Sequence, residues 1–196
     1  MRGVVIVGAG LAGARCAETL RAGGYDDPVT IVGGERVAPY ERPALSKAFL
    51  AGEKAGHEIL LRASDWWAEH DIDLRLGEPV ERVDLDRKVV EIHGQELPWS
   101  NLVIATGGRA RRLPGVGCEG VHVLRTLGDA VALRSSIRPG TKLVVVGAGF
   151  VGAEVASTAA GLGAHVTILE AETAPLARVT GAEVGLTLAE RWRKQE

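Results

Sequence analysis

Two stretches of the chain repeat one pattern of apolar and polar positions. Val4, Val5, Ile6 and Val7 form an unbroken apolar run rich in β-branched residues, as expected of a strand buried on both faces of a parallel sheet. Gly8-Ala9-Gly10-Leu11-Ala12-Gly13 follows without a gap. Leu11, Ala14, Ala17 and Leu20 then recur at helical spacing until Gly23-Gly24, and Val29-Thr30-Ile31-Val32 is a second apolar run. The order predicts a strand–helix–strand unit. About 140 positions further on, Leu143 to Val146 lead into Gly147-Ala148-Gly149-Phe150-Val151-Gly152, a helix to Leu162 and the strand Val166-Thr167-Ile168-Leu169. The unit is present twice.

Between the copies the periods are shorter. Pro43 to Leu50 and Asp65 to His70 suggest short helices. Val80 to Leu97 carries alternating strands broken by Asp84-Leu85-Asp86-Arg87 and His93-Gly94-Gln95, a small antiparallel meander. Leu102 to Ala105 then returns as a core strand ending at Thr106-Gly107-Gly108, and a last helix is expected from Ala182 to Lys194. The class is α/β with two Rossmann-like βαβ units. Residues 1–110 read as a first lobe, 111–140 as a connector and 141–196 as a partial second lobe.

The glycines carry chemistry. In such a motif the first permits the tight strand-to-helix turn, the second lets a pyrophosphate approach the backbone, and the third lets the helix pack on the strand. Phosphates then meet free N–H groups at the helix N-terminus, where the helix dipole favours negative charge. Glu170 directly follows the second strand of the later copy, where a carboxylate accepts both ribose hydroxyls and repels a 2′-phosphate, so NAD is expected over NADP. In the first copy Gly33 and Gly34 intervene before Glu35. Glu35 stands either as a ribose acceptor or as a solvated turn residue.

Composition removes other classes. The 196 residues are 46% apolar and 24% charged with a net charge of −2, so no broad basic field exists for nucleic acid or an anionic membrane. Cys16 and Cys118 lie far apart and the five histidines are scattered, which leaves no disulfide scaffold, dithiol centre or metal spacing. Arg2 before the apolar run from Gly3 resembles a leader peptide, but Gly8, Gly10 and Gly13 interrupt that run. No run reaches the ~18 apolar residues of a membrane span, and the expected setting is cytoplasmic. The tryptophans are expected to pack in the core. Cys16 is expected there too, and Arg109, Arg111 and Arg112 to form a solvated turn. A short-chain dehydrogenase is excluded, because neither tyrosine has a lysine four places on.

Four segments bring a more specific likeness: Gly8 to Gly13, Pro39-Tyr40-Glu41-Arg42-Pro43-Ala44-Leu45-Ser46-Lys47, the strand Leu102 to Gly107 ending in Ala-Thr-Gly, and Gly147 to Glu154. Leu124-Arg125-Thr126 and the stretch from Glu170 to Val179 add to it. On these the chain resembles the FAD-dependent NADH:ferredoxin and rubredoxin reductases that serve oxygenases and cytochromes P450, within the pyridine nucleotide-disulfide oxidoreductase superfamily. The resemblance implies that Gly8, Gly10, Ala12 and Gly13 hold the FAD pyrophosphate, with Glu35 near the ribose, one place beyond the family's usual acid, which here is Gly34. It implies FAD contacts from Arg42, Lys47, Val80, Ala105, Thr106, Gly107 and Arg125, with Lys47 at the flavin ring and Val80 meeting adenine through its backbone. The second unit would bind NADH through Gly147, Gly149, Phe150, Val151, Gly152 and Glu170, with Glu154 beside the nicotinamide. Lys47 and Glu154 would form the catalytic pair. By residue type alone they read as a solvated helix lysine and a surface acid.

The implied activity is hydride transfer from NADH to FAD, then single electrons to an iron–sulfur ferredoxin or rubredoxin. Disulfide-reducing relatives need a cysteine-bearing helix where this chain has Ala44-Leu45-Ser46-Lys47. Proteins of the family are about twice as long, so the chain corresponds to their N-terminal half. It reads as a fragment, as half of a split enzyme, or as a non-catalytic dinucleotide-binding module or regulatory subunit completed by another polypeptide. The second lobe is then expected to be a two-stranded sheet with open edges. Such a lobe would self-associate or pair with a complementing chain, or leave residues beyond about 141 partly disordered, with little electron transfer by this length alone.

Overall fold

A computed structural model describes residues 3–194; Arg2, which figures in the leader-like reading, lies outside the described residues. Along the chain run β1 (Gly3–Val7), α1 (Leu11–Ala22), β2 (Val29–Gly33), a 3₁₀ turn (Arg42–Ser46), α2 (Ala48–Ala51), a second 3₁₀ turn (Gly56–Ile59), α3 (Trp66–Glu69), β3 (Ile72–Leu76), β4 (Arg82–Asp84), β5 (Val89–Ile92) and β6 (Gln95–Ile104). They are followed by α4 (Leu127–Ser136), β7 (Lys142–Val146), α5 (Phe150–Gly161), β8 (His165–Leu169), α6 (Ala177–Thr180) and α7 (Ala182–Arg193). These elements form two compact units. One holds the residues up to Glu41 with Gly56–Arg109; the other holds Arg42–Ala55 with the residues from Ala110 onward. The sequence groups 42–55 with the first lobe, whereas its contacts group it with the second unit.

The first unit is a six-stranded sheet in the order β3-β2-β1-β6-β5-β4. β1 is parallel to β2 and β6, and β2 to β3, while β4, β5 and the start of β6 are antiparallel. Every residue of β1 and β2 is buried, because apolar clusters cover both faces. Ile6, Ala14, Ala17, Ile31, Trp67 and Ile72 belong to one, and Val5, Val7, Val32, Val90, Ile92 and Trp99 to the other. Cys16 packs against the first cluster.

One expectation is corrected here and one element is added. The meander's last strand and the returning core strand are one element. The start of β6 pairs with β5 through Gln95–Pro98, and Asn101–Ile104 then pairs with β1 across a register shift. The edge strand β3, Ile-Asp-Leu-Arg-Leu, alternates at period two as a half-exposed strand should, and no element was expected there.

In the second unit β7 and β8 form a two-stranded parallel ladder, from Lys142↔His165 to Val146↔Leu169. Leu50, Leu133, Ile137, Val155, Ala159 and Ala164 make its core, with Leu143, Val145 and Val166 packed against it. Val144, Val146 and Leu169 stay exposed, since alternate strand residues face opposite ways. The expected connector contains α4, which starts in a capping box. Thr126 Oγ1 accepts from Asp129 N at 3.1 Å, and Asp129 Oδ2 accepts from Thr126 N at 2.8 Å. The helix expected over Pro43–Leu50 is broken at Lys47 into the 3₁₀ turn and α2.

Candidate functional site

The two glycine motifs fold alike. Gly8 has φ +124° and Gly147 φ +98°, a region that side chains avoid. Each first glycine donates its N–H to the end of the next strand, Gly8 to Val32 O at 2.8 Å and Gly147 to Leu169 O at 2.7 Å. A Cβ on Gly13 would lie 2.0 Å from Gly8 O, and one on Gly152 2.0 Å from Gly147 O. Helix and turn are therefore in backbone contact at both sites. The middle glycines differ from these, because a Cβ on Gly10 or Gly149 would meet nothing within 4 Å. Both are N-caps in extended backbone, and neither α1 nor α5 has a side-chain cap.

Each site thus presents an uncapped helix N-terminus in front of an open space, and this suits a pyrophosphate. The close approach at the third glycine makes a stability prediction. Gly13→Ala should cost about 1–3 kcal/mol through overpacking, read as a lower midpoint in urea unfolding.

Around the first turn, Ala105 N donates to Val7 O at 2.7 Å, and Ala105 O would lie 2.1 Å from a Cβ on Gly8. Thr106 and Gly107 leave β6 at this point, both exposed, with Gly107 at φ +67°. Val80 packs against the Val5–Val7–Val32 cluster. Ala12 lies in the first turn of α1. By the matching bonds from Gly8 and Gly147, the counterpart of Glu170 in this unit is Gly33. A Cβ there would already be 2.5 Å from Ala9 Cβ, so the tight packing leaves no room for an acid. Glu35 lies two residues further on, and its Oε2 accepts from Tyr40 Oη at 2.7 Å.

Glu170 is tied to the second turn itself. Its Oε2 accepts from Ala148 N at 2.6 Å and its Oε1 from Glu172 N at 2.9 Å. The Glu172 and Ala148 amides hold its carboxyl below the usual carboxylate value. Next to it lies a cleft of about 290 Å³ lined by Ala148, Gly149, Glu170, Leu176, Ala177 and Arg178 among others, close to the lower size of small-ligand sites. Arg178 pairs with Glu172 at the same cleft. Glu172, Leu176 and Arg178 lie in the Glu170–Val179 stretch, where the sequence assigns a site role to Glu170 and not to them. Phe150 and Val151 open α5 and are both exposed.

The second unit also brings Lys47 and Glu154 together. Lys47 Nζ is 2.6 Å from Glu154 Oε1, with the lysine side chain 51% and the glutamate 29% exposed. Burial pushes the Glu154 carboxyl up, but hydrogen bonds from Lys47 and Ser46 and the lysine charge hold it below its ordinary 4.5. Because the folded value is the lower one, the stability it contributes is complete above the unfolded value. It is lost as the pH falls through the folded one. The melting temperature of the parent should therefore drop more steeply than that of Glu154→Gln as the buffer is taken below about pH 5.

In the same unit Arg42 donates to Arg125 O at 2.6 Å, and Arg125 N donates to Asp129 Oδ2 at 3.0 Å. Arg125 is thereby fixed to the cap of α4. Among the described residues no group of three or more His, Cys, Asp and Glu could hold a metal ion, and no helix is long and apolar enough to cross a membrane.

Residues 2–196 match the pyridine nucleotide-disulphide oxidoreductase family along their whole length. The chain belongs to that family. The chain is 43% identical over 185 residues to the ferredoxin–NAD(+) reductase component of the biphenyl dioxygenase system of Paraburkholderia xenovorans (strain LB400), covering 93% of this chain and 45% of that protein. It is 43% identical over 178 residues to the rhodocoxin reductase of Rhodococcus erythropolis, covering 89% of this chain and 42% of that one. In structure it matches a chain of the covalent putidaredoxin reductase–putidaredoxin complex with a TM-score of 0.94 and 39% identity, over 98% of this chain and 48% of the other. The chain spans about half the length of the curated relatives it matches.

Proposed function

We propose that this chain is part of a flavoprotein oxidoreductase that passes hydride from NADH to FAD and then single electrons to a ferredoxin or rubredoxin. The observation that carries the reading is the duplicated glycine turn, open at Gly10 and at Gly149 and followed by the carboxylate of Glu170 in the second copy. The relatives' names support it, since they are ferredoxin–NAD(+) and rubredoxin–NAD(+) reductases.

In this reading the turn Gly8–Gly13 holds the FAD pyrophosphate on the amides that open α1, with Ala12 in that first turn and Glu35, Val80, Ala105, Thr106 and Gly107 around it. Arg42, Lys47 and Arg125 are assigned to FAD as well. The turn Gly147–Gly152 holds the NADH pyrophosphate, and Glu170 accepts its adenosine ribose. FAD, when bound, supplies the conversion of a two-electron donor into single electrons. Lys47 contributes a positive charge that offsets the negative charge of a reduced ring, and Glu154 keeps that ammonium in place. Both act by position and charge, and neither forms a bond to substrate.

Loading the chain with FAD, alone and extended to the length of the relatives it matches, and mixing it anaerobically with NADH tests the proposal. The extended form is expected to bleach and then to reduce an added ferredoxin, whereas this length alone should show little electron transfer. Acid precipitation should release the flavin intact, because no cysteine, histidine or tyrosine adjoins the first turn to form a covalent link. Binding of both dinucleotides by the extended form without bleaching would overturn the enzymatic reading in favour of a non-catalytic dinucleotide-binding module.

A further inference from the structure

The Lys47–Glu154 pair has two neighbours that the proposed chemistry does not use. Ser46 is only 4% exposed, and its hydroxyl donates to Glu154 Oε2 at 2.5 Å while Lys47 Nζ takes Oε1 at 2.6 Å. Consecutive residues of one turn therefore hold the two oxygens of a single carboxylate. One turn further along α5, Thr158 Oγ1 donates to Ser46 O at 2.8 Å. Glu154 and Thr158 are four apart and share a helix face. The helix that carries the acid thus also anchors the backbone of the serine that binds it.

A hydroxyl has one hydrogen to give. The other acceptor within reach of Ser46 Oγ is Pro43 O at 3.5 Å, at the limit of a hydrogen bond, so the carboxylate takes the proton. The last torsion of a glutamate is broad. Held by the ammonium alone, the carboxylate would rotate and the ammonium would follow it. A second donor on the other oxygen stops that rotation.

We propose that Ser46, anchored by Thr158, is a positioning residue that fixes the Glu154 carboxylate and through it the Lys47 ammonium. Its meaning for catalysis rests on the reading of Lys47 and Glu154 as the catalytic pair; the geometry it predicts does not. Removing the serine hydroxyl removes one of the groups that lower the Glu154 carboxyl. The elements packed against α5 carry few other charges. Arg42 gives its guanidinium to Arg125 O, Lys142 and His165 stand at the first residues of β7 and β8, and Glu170 is bonded to Ala148 and Glu172. Among the described residues Lys47 is the cation paired with Glu154.

The test is a carbon-13 NMR titration of glutamate carboxyls in the whole chain, with Glu154 identified by Glu154→Gln. Ser46→Ala should raise its midpoint, Ser46→Thr should restore it, and Thr158→Val should raise it by less. In the flavin-loaded chain extended to the length of its relatives, Ser46→Ala should slow flavin reduction at saturating NADH about tenfold, the scale of one hydrogen bond to a charged group, with KM for NADH unchanged. Should Ser46→Ala fail to fold by circular dichroism, Thr158→Val carries the test. An unmoved midpoint in the folded variants, or a Ser46→Thr chain that titrates like Ser46→Ala, overturns the proposal. A raised midpoint together with an extended chain that NADH does not bleach would support the positioning role while removing the proposed function.

Discussion

Gly10→Asp is expected to weaken FAD binding by more than about a hundredfold while leaving the fold at least as stable as the parent. The two halves of that result come from the same position. A Cβ on Gly10 meets nothing within 4 Å, and its backbone is extended, with φ −87° and ψ −175°. Aspartate is among the best residues for an uncapped helix start, so the new carboxylate should accept from the amides that open α1 and stabilise it. It would then occupy the anion site with a fixed negative charge, where a pyrophosphate needs the same donors. Urea unfolding and flavin fluorescence quenching read the two effects separately. Gly149→Asp is expected to do the same to NADH, and to leave FAD alone.

The second large effect concerns the choice of nicotinamide cofactor. The parent should prefer NADH over NADPH by more than about tenfold, and Glu170→Gln should bring the two within a few-fold of each other. Both oxygens of Glu170 already accept amide hydrogens, from Ala148 and Glu172, so the carboxylate is fixed at the mouth of the second turn. A ribose can still donate to its remaining lone pairs, whereas a 2′-phosphate brings a second negative charge against it. Glutamine keeps one acceptor oxygen and removes the charge. Isothermal titration with each cofactor gives the ratio directly. Equal affinities in the parent would remove Glu170 from the assignment.

How much of this was legible in the sequence depended on how local the cause was. β1, α1 and β2, with their counterparts β7, α5 and β8, showed as apolar runs joined by glycines; close packing requires glycine at Gly8, Gly13 and Gly152, and a positive φ favours it at Gly147. α4 could have been read too, because Thr126 and Asp129 form a capping box within four residues. So could β3, whose Ile72, Leu74 and Leu76 alternate with Asp73 and Arg75 as on a sheet edge. β6 was harder. Pro98 and Ser100-Asn101 look like a break, and only pairing with β5 on one stretch and β1 on the next makes the strand continuous.

The second unit's charged pair was not legible at all from residue type. Ser46 and Glu154 are 108 positions apart, and nothing near either announces the other; family likeness named Lys47 and Glu154, and the structure added Ser46 and Thr158. Gly33 shows the opposite case. A Cβ on it would lie 2.5 Å from Ala9 Cβ, so an acid at the counterpart of Glu170 would require the first turn to shift.

The central claim is that the first glycine turn is an FAD site, and a visible absorbance titration of the purified chain with FAD tests it most directly. One FAD per chain, with the shifted and structured spectrum of a protein-bound flavin in the parent and none of it in Gly10→Asp, is the result predicted. A parent whose spectrum is only that of free flavin, or a Gly10→Asp chain that binds as the parent does, would contradict it.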